Sequence, residues 1–419
     1  MKILLSAYAC EPYKGSEPSV GWNWTRELAK LNHEVWVLTR TNNKKTINHY
    51  YSKTPKPENL FFIYYDLPRW AKWWKKGQAG IHFYYLLWQW FAYKFAKTIH
   101  EKEKFDCVHH ITFVSIRQPS FMGLLGIPFI FGPVAGGEKS PWRLRLSYGA
   151  RGIFMDMIRD VSNLFIKIDP LMRTTFKKSH KIFVTSTQTK ELVPIKYQEK
   201  TKLQLAIGLD TKQFDLDFPD KNKKGKPFKL LYMGRFLYWK GMDIGIRAFA
   251  LFLKNVPNAR LTMVGSGPEK KRWHHLSKQL GISAQVDWIP WVERDQISNL
   301  YTQHDLFLFP SLHDSGGMVS LESIAHGLPV ICLDIGGPGT IINESCGIKI
   351  SVHGKTVNTI IEEIAENLIT YKNNNALKQK LSIGGPVRIR KFHWNNIVKK
   401  IYDTDTTITP SNSRLSADK

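Results

Sequence analysis

The feature that most limits the fold of this chain is an alternation of short apolar runs with helical stretches, which occurs twice. The first series includes "KILLSAYA" (2–9), a helical stretch at 19–32 and "EVWVLTR" (34–40), and the second includes "KLLYMG" (229–234) and "DLFLF" (305–309). Continuous apolar runs between helices are typical of parallel strands that are buried on both faces. The sequence therefore predicts an α/β protein with two doubly wound Rossmann-like domains that face a central cleft, because such sheets bind ligands at the carboxyl ends of their strands.

The expected domain boundary lies where this periodicity is lost. The segment 215–228 contains Pro, Gly, acids and a Lys cluster without any regular spacing, and is predicted to be a linker. It separates an N-terminal domain, 1–214, from a second domain, 229–385. Residues 405–419 form a polar tail.

The net charge of +25 is spread along the chain and favours polyanionic partners such as nucleotides, anionic lipid or nucleic acid. The four cysteines form no CxxC pair and lie in apolar or small-residue runs, which indicates buried, reduced thiols and a cytoplasmic location. The N-terminal run after Lys2 resembles a short signal peptide, but a buried first strand accounts for it as well and is the preferred interpretation.

An acidic and glycine-rich loop follows the apolar run that ends at Phe309. Asp314 precedes two glycines, and Glu322 follows eight positions later in a stretch with the apolar spacing of a helix that begins near Gly317 or Met318. Free N–H groups at a helix N-terminus bind anions, and glycines let a phosphate approach the backbone. The loop is therefore a candidate phosphate site, with Glu322 placed to accept hydrogen bonds from a sugar diol. The alternative is that Asp314 only caps the helix and Glu322 is solvated.

Two cations form a second candidate site in "MGRFLYWKG". Arg235 directly follows a predicted strand, and Lys240 comes five residues later, just before a predicted helix. A bidentate guanidinium and a compact ammonium group at the end of a strand suit a diphosphate.

Three further motifs carry little weight. "VGSGP" (264–268) lacks the full glycine fingerprint of a dinucleotide site. "DLD" (215–217) falls in the predicted linker, and the histidines 109 and 110 end a buried strand, where a core or cleft-lining histidine is the preferred interpretation. No metal site is expected.

Together these motifs resemble the retaining glycosyltransferases of family GT4, which have the GT-B fold. The family signature E-x7-E reads here Asp314-x7-Glu322 and is followed by "IAHGLPVICLD", and the family's "GR…KG" is matched by Arg235, Lys240 and Gly241. Other ordered matches are "VGSGP", "IGLD…F" (207–214), "FHW" (392–394) and the N-terminal "KGSEPSVGW" (14–22). The resemblance covers nearly the whole chain. It also implies a last helix, at about 386–404, that packs back onto the first domain.

The resemblance assigns a role to each motif residue. Arg235 and Lys240 would hold the donor diphosphate, and Glu322 would hold the nucleotide ribose. Asp314 would meet the transferred sugar together with the backbone of the loop, and Gly15 would let the first domain approach the donor. The loop residues concerned are Ser315, Gly316, Gly317, Met318 and Val319.

Two departures from the family pattern stand out. Asp314 is one methylene shorter than the family Glu. A His that the family often carries near 128–134 is absent, which leaves Glu138 or His109 and His110 as candidate substitutes.

A membrane contact is predicted at "RWAKWWKK" (69–76), since aromatic and basic residues together suit an anionic membrane interface. The following apolar stretch, 81–97, is interpreted as a core helix in preference to a lipid contact.

The resulting prediction is a glycosyltransferase that uses a nucleotide-sugar donor, needs no cofactor and retains the anomeric configuration. Its expected acceptor is a lipid-linked or other cell-surface glycan, reached from the cytoplasmic side by peripheral contact with the membrane. The alternatives are another GT-B enzyme, namely a sugar-nucleotide epimerase or a glycosyl phosphorylase, and a basic nucleic-acid-binding protein. No RNA-binding motif is found, so a nucleic-acid partner is not expected.

Overall fold

The computed structural model describes residues 1–71, 80–210 and 226–403. The chain divides into two compact units, of which the first contains Met1–Gly137, Ser162–Ile207 and the helix that begins at Trp394. The second unit contains Glu138–Val161 and the described residues of Gly208–His393. The division differs from the expected boundaries at Glu138–Val161, which group with the second unit. Most of the predicted linker lies outside the described residues.

The strands of the described residues are β1 Lys2–Ala7, β2 Glu34–Arg40, β3 Leu60–Tyr65, β4 Cys107–Thr112, β5 Phe129–Val134, β6 Lys181–Val184, β7 Thr201–Leu203, β8 Lys229–Met233, β9 Arg260–Val264, β10 Val286–Ile289, β11 Leu306–Phe309, β12 Val330–Leu333 and β13 Gly347–Ile350. The helices of the same residues are α1 Glu17–Lys30, α2 Lys44–Tyr51, α3 Ile81–Glu103, α4 Ala150–Phe165, α5 Pro170–Lys178, α6 Thr187–Leu192, α7 Met242–Leu253, α8 Lys270–Gln279, α9 Ile297–Gln303, α10 Met318–Ala325, α11 Gly336–Ile341, α12 Val357–Asn373, α13 Asn375–Ile389 and α14 Trp394–Asp403.

Each unit is built on one parallel sheet. Within the described residues, the strand order is β3-β2-β1-β4-β5-β6-β7 in the first unit and β10-β9-β8-β11-β12-β13 in the second. All pairings between these strands are parallel, and the central strands β4 and β11 are buried along their whole length. The predicted α/β class with two doubly wound sheets is confirmed, and the N-terminal run forms β1, which pairs with β2 on one side and β4 on the other.

Three strands lack the continuous apolar runs that predict the others. These strands, β7, β10 and β13, lie at sheet edges among the described strands and are only partly buried. An edge strand has a neighbour on one side only, so its sequence needs fewer apolar residues.

The first unit has a core rich in aromatic residues. Helix α3 contributes Tyr84, Tyr85 and Trp88 to this core, which confirms that 81–97 is part of a core helix. All four cysteines are free and buried, as predicted. Of the segment "RWAKWWKK", residues 72–76 lie outside the described residues. Within the described residues, no helix has the length and apolar character that crossing a membrane requires.

The helix expected at about 386–404 is interrupted, so this prediction is wrong in its first half. Helix α13 ends at Ile389 and α14 begins only at Trp394. Between them the backbone turns, and the carbonyl of Phe392 accepts a hydrogen bond from the N–H of Leu209 at 3.0 Å instead of an intrahelical one. Helix α14 belongs to the first unit and packs on α1.

His109 and His110 are fully buried in β4. His109 bonds the hydroxyl of Tyr402 through Nδ1 at 2.7 Å and the carbonyl of Gly132 through Nε2 at 2.5 Å. Burial lowers the pKa of His109 to about 4 and that of His110 to about 3. Both are therefore neutral core side chains at neutral pH.

These shifts predict a pH-dependent stability. An unfolded histidine takes up a proton near its ordinary pKa of 6.5, whereas folded His110 stays neutral down to about pH 3. Since the unfolded state then binds more protons, the free energy of unfolding should fall as the pH falls below 6.5, by about 2 kcal/mol per histidine between pH 7 and pH 5. Denaturant unfolding of wild-type protein and His110→Gln at both pH values measures this contribution. An equal pH dependence in the two proteins would contradict it.

Candidate functional site

In the second sheet the strand order is β10-β9-β8-β11-β12-β13. The chain therefore adds strands in one direction from β8 to β10 and in the opposite direction from β11 onward, so the order reverses between β8 and β11. The crevice at the carboxyl ends of two such strands is the usual ligand site of an open α/β sheet. The loop after β8 carries Arg235 and Lys240, and the loop after β11 carries Asp314. The two motifs that the sequence singles out therefore lie at the switch point of one sheet.

Lys240 and Asp314 form an ion pair between these two loops, with side chains that are 15% and 17% exposed. The ammonium group of Lys240 also lies 5.0 Å from the ring centre of Phe309. Gly241 allows the loops to come this close, because its φ is +68° and a Cβ there would lie 2.0 Å from the carbonyl oxygen of Pro310. The pair thus joins the loops that follow β8 and β11.

Asp314 also fixes the shape of its own loop. Its Oδ1 accepts hydrogen bonds from the N–H groups of Gly316 at 3.1 Å and Gly317 at 3.2 Å. Burial alone would raise the pKa of Asp314, but the charge and hydrogen bond of Lys240 and the two N–H groups outweigh it and hold the pKa below its ordinary value. Asp314 is therefore an anion at neutral pH.

The N-terminus of α10 offers further donors. Gly317 is the residue before the helix, with a φ of +69°, and Met318 is its first residue, as the sequence predicts. Since Asp314 occupies the N–H groups of Gly316 and Gly317, the next donors are those of Met318 and Val319, which make no hydrogen bond within the described residues. These N–H groups at a helix N-terminus suit an anion.

A second glycine loop, which follows β12, packs against the backbone of Asp314. The N–H of Gly337 donates to the carbonyl of Asp314 at 2.7 Å. Gly336 has a φ of +61°, and a Cβ there would lie 2.3 Å from the same carbonyl oxygen. Only a glycine fits this contact without displacement of the loop.

Glu322 lies in the second turn of α10 and is half-buried. Its Oε2 accepts a hydrogen bond from the hydroxyl of Tyr301 at 3.0 Å, and the ring of this buried tyrosine stacks on His326 with centroids 4.9 Å apart. Glu322 is therefore held in one orientation by a core residue, which argues against the alternative of a merely solvated side chain.

Arg235 is exposed at the start of the β8 loop. Its guanidinium makes no hydrogen bond or ion pair within the described part of the chain, whereas its backbone is fixed by the hydroxyl of Tyr232, which donates to the Arg235 carbonyl at 3.1 Å. The "VGSGP" loop supports the next residue, since the N–H of Phe236 donates to the carbonyl of Ser266 at 2.9 Å. The glycine motif thus has a packing role beside Arg235.

A buried polar network, which the sequence did not predict, borders the site. A nitrogen of the Arg159 guanidinium donates to Nδ1 of His313, which therefore carries its proton on Nε2. This Nε2 lies 3.3 Å from Oδ1 of Asp156, and the ring of His313 stacks on Trp239, which precedes Lys240. The network thus holds the residue before Asp314 and the residue before Lys240.

Burial and neighbouring charges shift the pKa values of two members of this network. Asp156 is almost fully buried, and although burial raises its pKa, the nearby His313 ring, a hydrogen bond from Tyr238 and the charge of Arg145 bring the pKa below its ordinary value. Burial lowers the pKa of His313, which stays neutral at neutral pH. Asp156 and Arg159 lie more than 150 residues before His313, so no local pattern links them.

The predicted site residues fall into two groups. Arg235, Lys240, Glu322 and the loop 314–319 lie in the second unit around the ends of β8 and β11. Glu138 also belongs to this unit, where its buried carboxylate lies 3.9 Å from Arg159 in the network. Gly15 lies in the first unit between β1 and α1, and nothing lies within 4 Å of the position that a Cβ would take there. No cluster of metal-ligating side chains is found among the described residues.

The sequence of the second unit matches a known family. Residues 213–382 match the family of glycosyl transferases group 1, and this range contains every predicted site residue except Gly15 and Glu138. This segment is therefore similar to the group 1 glycosyl transferases, as the motifs indicate.

Curated relatives agree with this family. The chain is 27% identical over 242 residues to an uncharacterised glycosyltransferase of Methanocaldococcus jannaschii. The aligned region covers 54% of this chain and 60% of that protein. It is 30% identical over 182 residues to the D-inositol 3-phosphate glycosyltransferase of Acidothermus cellulolyticus. Here the aligned region covers 41% of this chain and 39% of the relative. The chain thus spans less than two thirds of the length of these relatives.

Solved structures share the fold. WaaG, a glycosyltransferase involved in lipopolysaccharide biosynthesis, aligns with a TM-score of 0.60 at 17% identity over 97% of this chain and the whole of WaaG. Anabaena HepE in complex with UDP aligns with a TM-score of 0.63 at 15% identity over 96% of this chain and 99% of HepE. These similarities establish the fold, which is that of GT-B glycosyltransferases.

The close contact at Gly336 makes a prediction for stability. Gly336→Ala should lower the free energy of unfolding by about 2 kcal/mol more than Gly354→Ala. Both substitutions place an alanine at a positive φ and so cause similar backbone strain, but only the first forces a Cβ against the Asp314 carbonyl. Gly354 is a matched control, because its φ is +72° and nothing lies within 4 Å of the position its Cβ would take. Denaturant unfolding of both variants provides the test. Equal losses would show that the contact does not constrain the loop.

Proposed function

We propose that this protein is a glycosyltransferase that moves a sugar from a nucleotide-sugar donor to a glycan or lipid-linked acceptor with retention of the anomeric configuration. The observation that carries the proposal is the arrangement at the switch point of the second sheet. There, two cations, the N-terminus of a helix and two oriented carboxylates surround the ends of β8 and β11. This arrangement lies inside the segment that matches the group 1 glycosyl transferases.

The donor diphosphate would bind between the β8 loop and α10. Arg235 offers a bidentate fork, and the N–H groups of Met318 and Val319 add neutral donors. Lys240 pairs with Asp314, so a diphosphate would share its ammonium group with this carboxylate. Because the site already contains the negative charge of Asp314, the guanidinium of Arg235, which has no partner among the described residues, supplies the positive charge that a diphosphate needs.

The nucleoside would be held by Glu322. Its carboxylate accepts a hydrogen bond from Tyr301 through Oε2, and a carboxylate can accept several hydrogen bonds at once, including those of the two hydroxyl groups of a ribose. The complexes of HepE with UDP and with UDP-glucose support a nucleoside diphosphate as the ligand class. Uridine is therefore the first nucleoside to test.

The reaction would break the bond between the anomeric carbon and the phosphate oxygen and form a bond from that carbon to an acceptor hydroxyl. The electron pair of the broken bond passes to the diphosphate, where Arg235, Lys240 and the helix N-terminus stabilise the developing charge. The acceptor proton passes to the leaving phosphate oxygen. Asp314 would contact the transferred sugar, and these cations take the role that a metal ion plays in other transferases.

The acceptor is proposed by chemical class. The names of the relatives include inositol phosphate as an acceptor, and WaaG and WaaB are named for lipopolysaccharide. A sugar or polyol that is attached to phosphate or to a lipid is consistent with both and with the net charge of +25. We place the reaction at the cytoplasmic face of the membrane.

Substitution of the cations tests the proposed donor site. Arg235→Ala should lower kcat/KM for transfer by an amount that corresponds to about 2–4 kcal/mol, since a charge-assisted phosphate contact is lost. Lys240→Ala should lower it at least as much, because it also removes the partner of Asp314. Lys254→Ala, at the exposed C-terminal end of α7, is the matched control and should leave kcat/KM unchanged. Near-wild-type kcat/KM in Arg235→Ala and Lys240→Ala would contradict the diphosphate assignment.

Removal of divalent metal provides an independent test of the charge balance. Transfer should continue in EDTA, because two cations and a helix N-terminus neutralise the diphosphate. Activity before and after dialysis against EDTA is the measurement. Complete loss that Mg²⁺ or Mn²⁺ restores would overturn the metal-free reaction and would direct attention to Asp215 and Asp217, which lie outside the described residues.

A further inference from the structure

Helix α4 presents an apolar face to the solvent. Phe154, Met157, Ile158 and Val161 recur at helical spacing and are 62%, 50%, 47% and 52% exposed. We call these four residues the outer face of α4. The last turn of the same helix continues the pattern with Leu164 and Phe165, which are also exposed. Single exposed apolar residues are common, but a contiguous row of large ones marks an interaction surface.

The opposite face of α4 is small or polar and is directed into the protein. Gly152, Asp156 and Asn163 are buried there, and Arg159 is half-buried. Asp156 and Arg159 are bound by His313, as described above. A helix of a water-soluble protein normally has the reverse arrangement, with its apolar face inside. The polar network therefore fixes α4 in an orientation that keeps its apolar face outside.

The charged residues of the chain segment that carries this face indicate what it contacts. Among residues 139–161, which belong to the second unit, every exposed charged side chain is basic, whereas Asp156 is buried and Asp160 is half-buried. The exposed basic residues are Lys139, Arg143 and Arg151. An exposed apolar helix face in a segment with only positive exposed charge is typical of a helix that lies in the interface of an anionic bilayer.

A second copy of this chain is the less favourable occupant. A twofold dimer would place the outer face of α4 against the same face of its partner. The basic residues of the two copies would then approach one another, and like charges oppose such an association. An anionic lipid surface attracts the same residues.

We propose that the outer face of α4 docks this protein on an anionic lipid surface, with the helix in the plane of the headgroups and its apolar side chains inserted among the acyl chains. This inference does not depend on glycosyl transfer, because it concerns binding to the bilayer alone. It places the membrane contact in a segment that the sequence did not single out.

Vesicle binding of an apolar variant tests the proposal. The triple variant Phe154→Ser, Ile158→Ser, Val161→Ser should bind vesicles of equal parts phosphatidylcholine and phosphatidylglycerol about a hundredfold more weakly than wild type, since three inserted side chains are lost. The matched control is Ile195→Ser, Ile383→Ser, Val387→Ser, whose side chains are exposed elsewhere on the chain, and it should bind like wild type. An equal loss in both variants, or no loss in a folded α4 variant, would overturn the proposal.

Charge variants test the electrostatic part. Lys139→Gln, Arg143→Gln, Arg151→Gln should weaken binding roughly a hundredfold at low salt and much less at high salt, since only the charge contribution is screened. Binding to vesicles of phosphatidylcholine alone should be weak for wild type. Equal binding of the wild type to neutral and anionic vesicles would contradict an anionic surface.

A fluorescent label distinguishes lipid from a second copy and does not require the triple variant to fold. Because the native cysteines are all buried, an environment-sensitive dye can be placed selectively on Ile158→Cys, with Ile195→Cys as the control site. The proposal predicts a blue shift of the dye at position 158 when anionic vesicles are added to the monomeric protein, and none at position 195. An unchanged emission with vesicles, or a blue shift that follows protein concentration and dimer formation without lipid, would overturn it.

Discussion

The ion pair of Lys240 and Asp314 is the interaction on which the proposed site depends. It joins the loops after β8 and β11 at the point where the strand order of the second sheet reverses. A carboxylate in this position has two effects. It orders the glycine loop through the N–H groups of Gly316 and Gly317, and it partly neutralises the lysine that a diphosphate would use. The exposed guanidinium of Arg235 and the N-terminus of α10 then supply the remaining attraction for an anion.

The surroundings of the pair hold both loops in place. Gly336 and Gly337 pack against the backbone of Asp314. On the other side, His313 is bound by Asp156 and Arg159 of helix α4. The inward polar face of α4 therefore positions the loop that begins the site, and the same constraint turns the apolar face of the helix outward. In this account, the orientation of one helix serves both the donor site and the proposed contact with lipid.

Much of the fold and the site could be predicted from the sequence because both depend on local patterns. Buried central strands give continuous apolar runs, and residues that follow adjacent parallel strands meet at one edge, as Lys240 and Asp314 do. The edge strands β10 and β13 are less apolar and were not predicted. The contact of His313 with Asp156 could not be inferred, because it joins residues far apart in the chain. For the same reason, the approach of Glu138 to Arg159 could not be inferred, and its role in substrate binding stays a prediction.

The opposing charges of the central pair give the most direct test of this account. Calorimetric titration of UDP into wild-type protein, Lys240→Met and Asp314→Asn measures how each charge acts on a bound diphosphate. We expect weaker binding in Lys240→Met and binding at least as tight as wild type in Asp314→Asn, since the second change releases Lys240 from its carboxylate and removes a negative charge. Weaker binding in Asp314→Asn together with unchanged binding in Lys240→Met would contradict the proposal that a diphosphate binds at this pair.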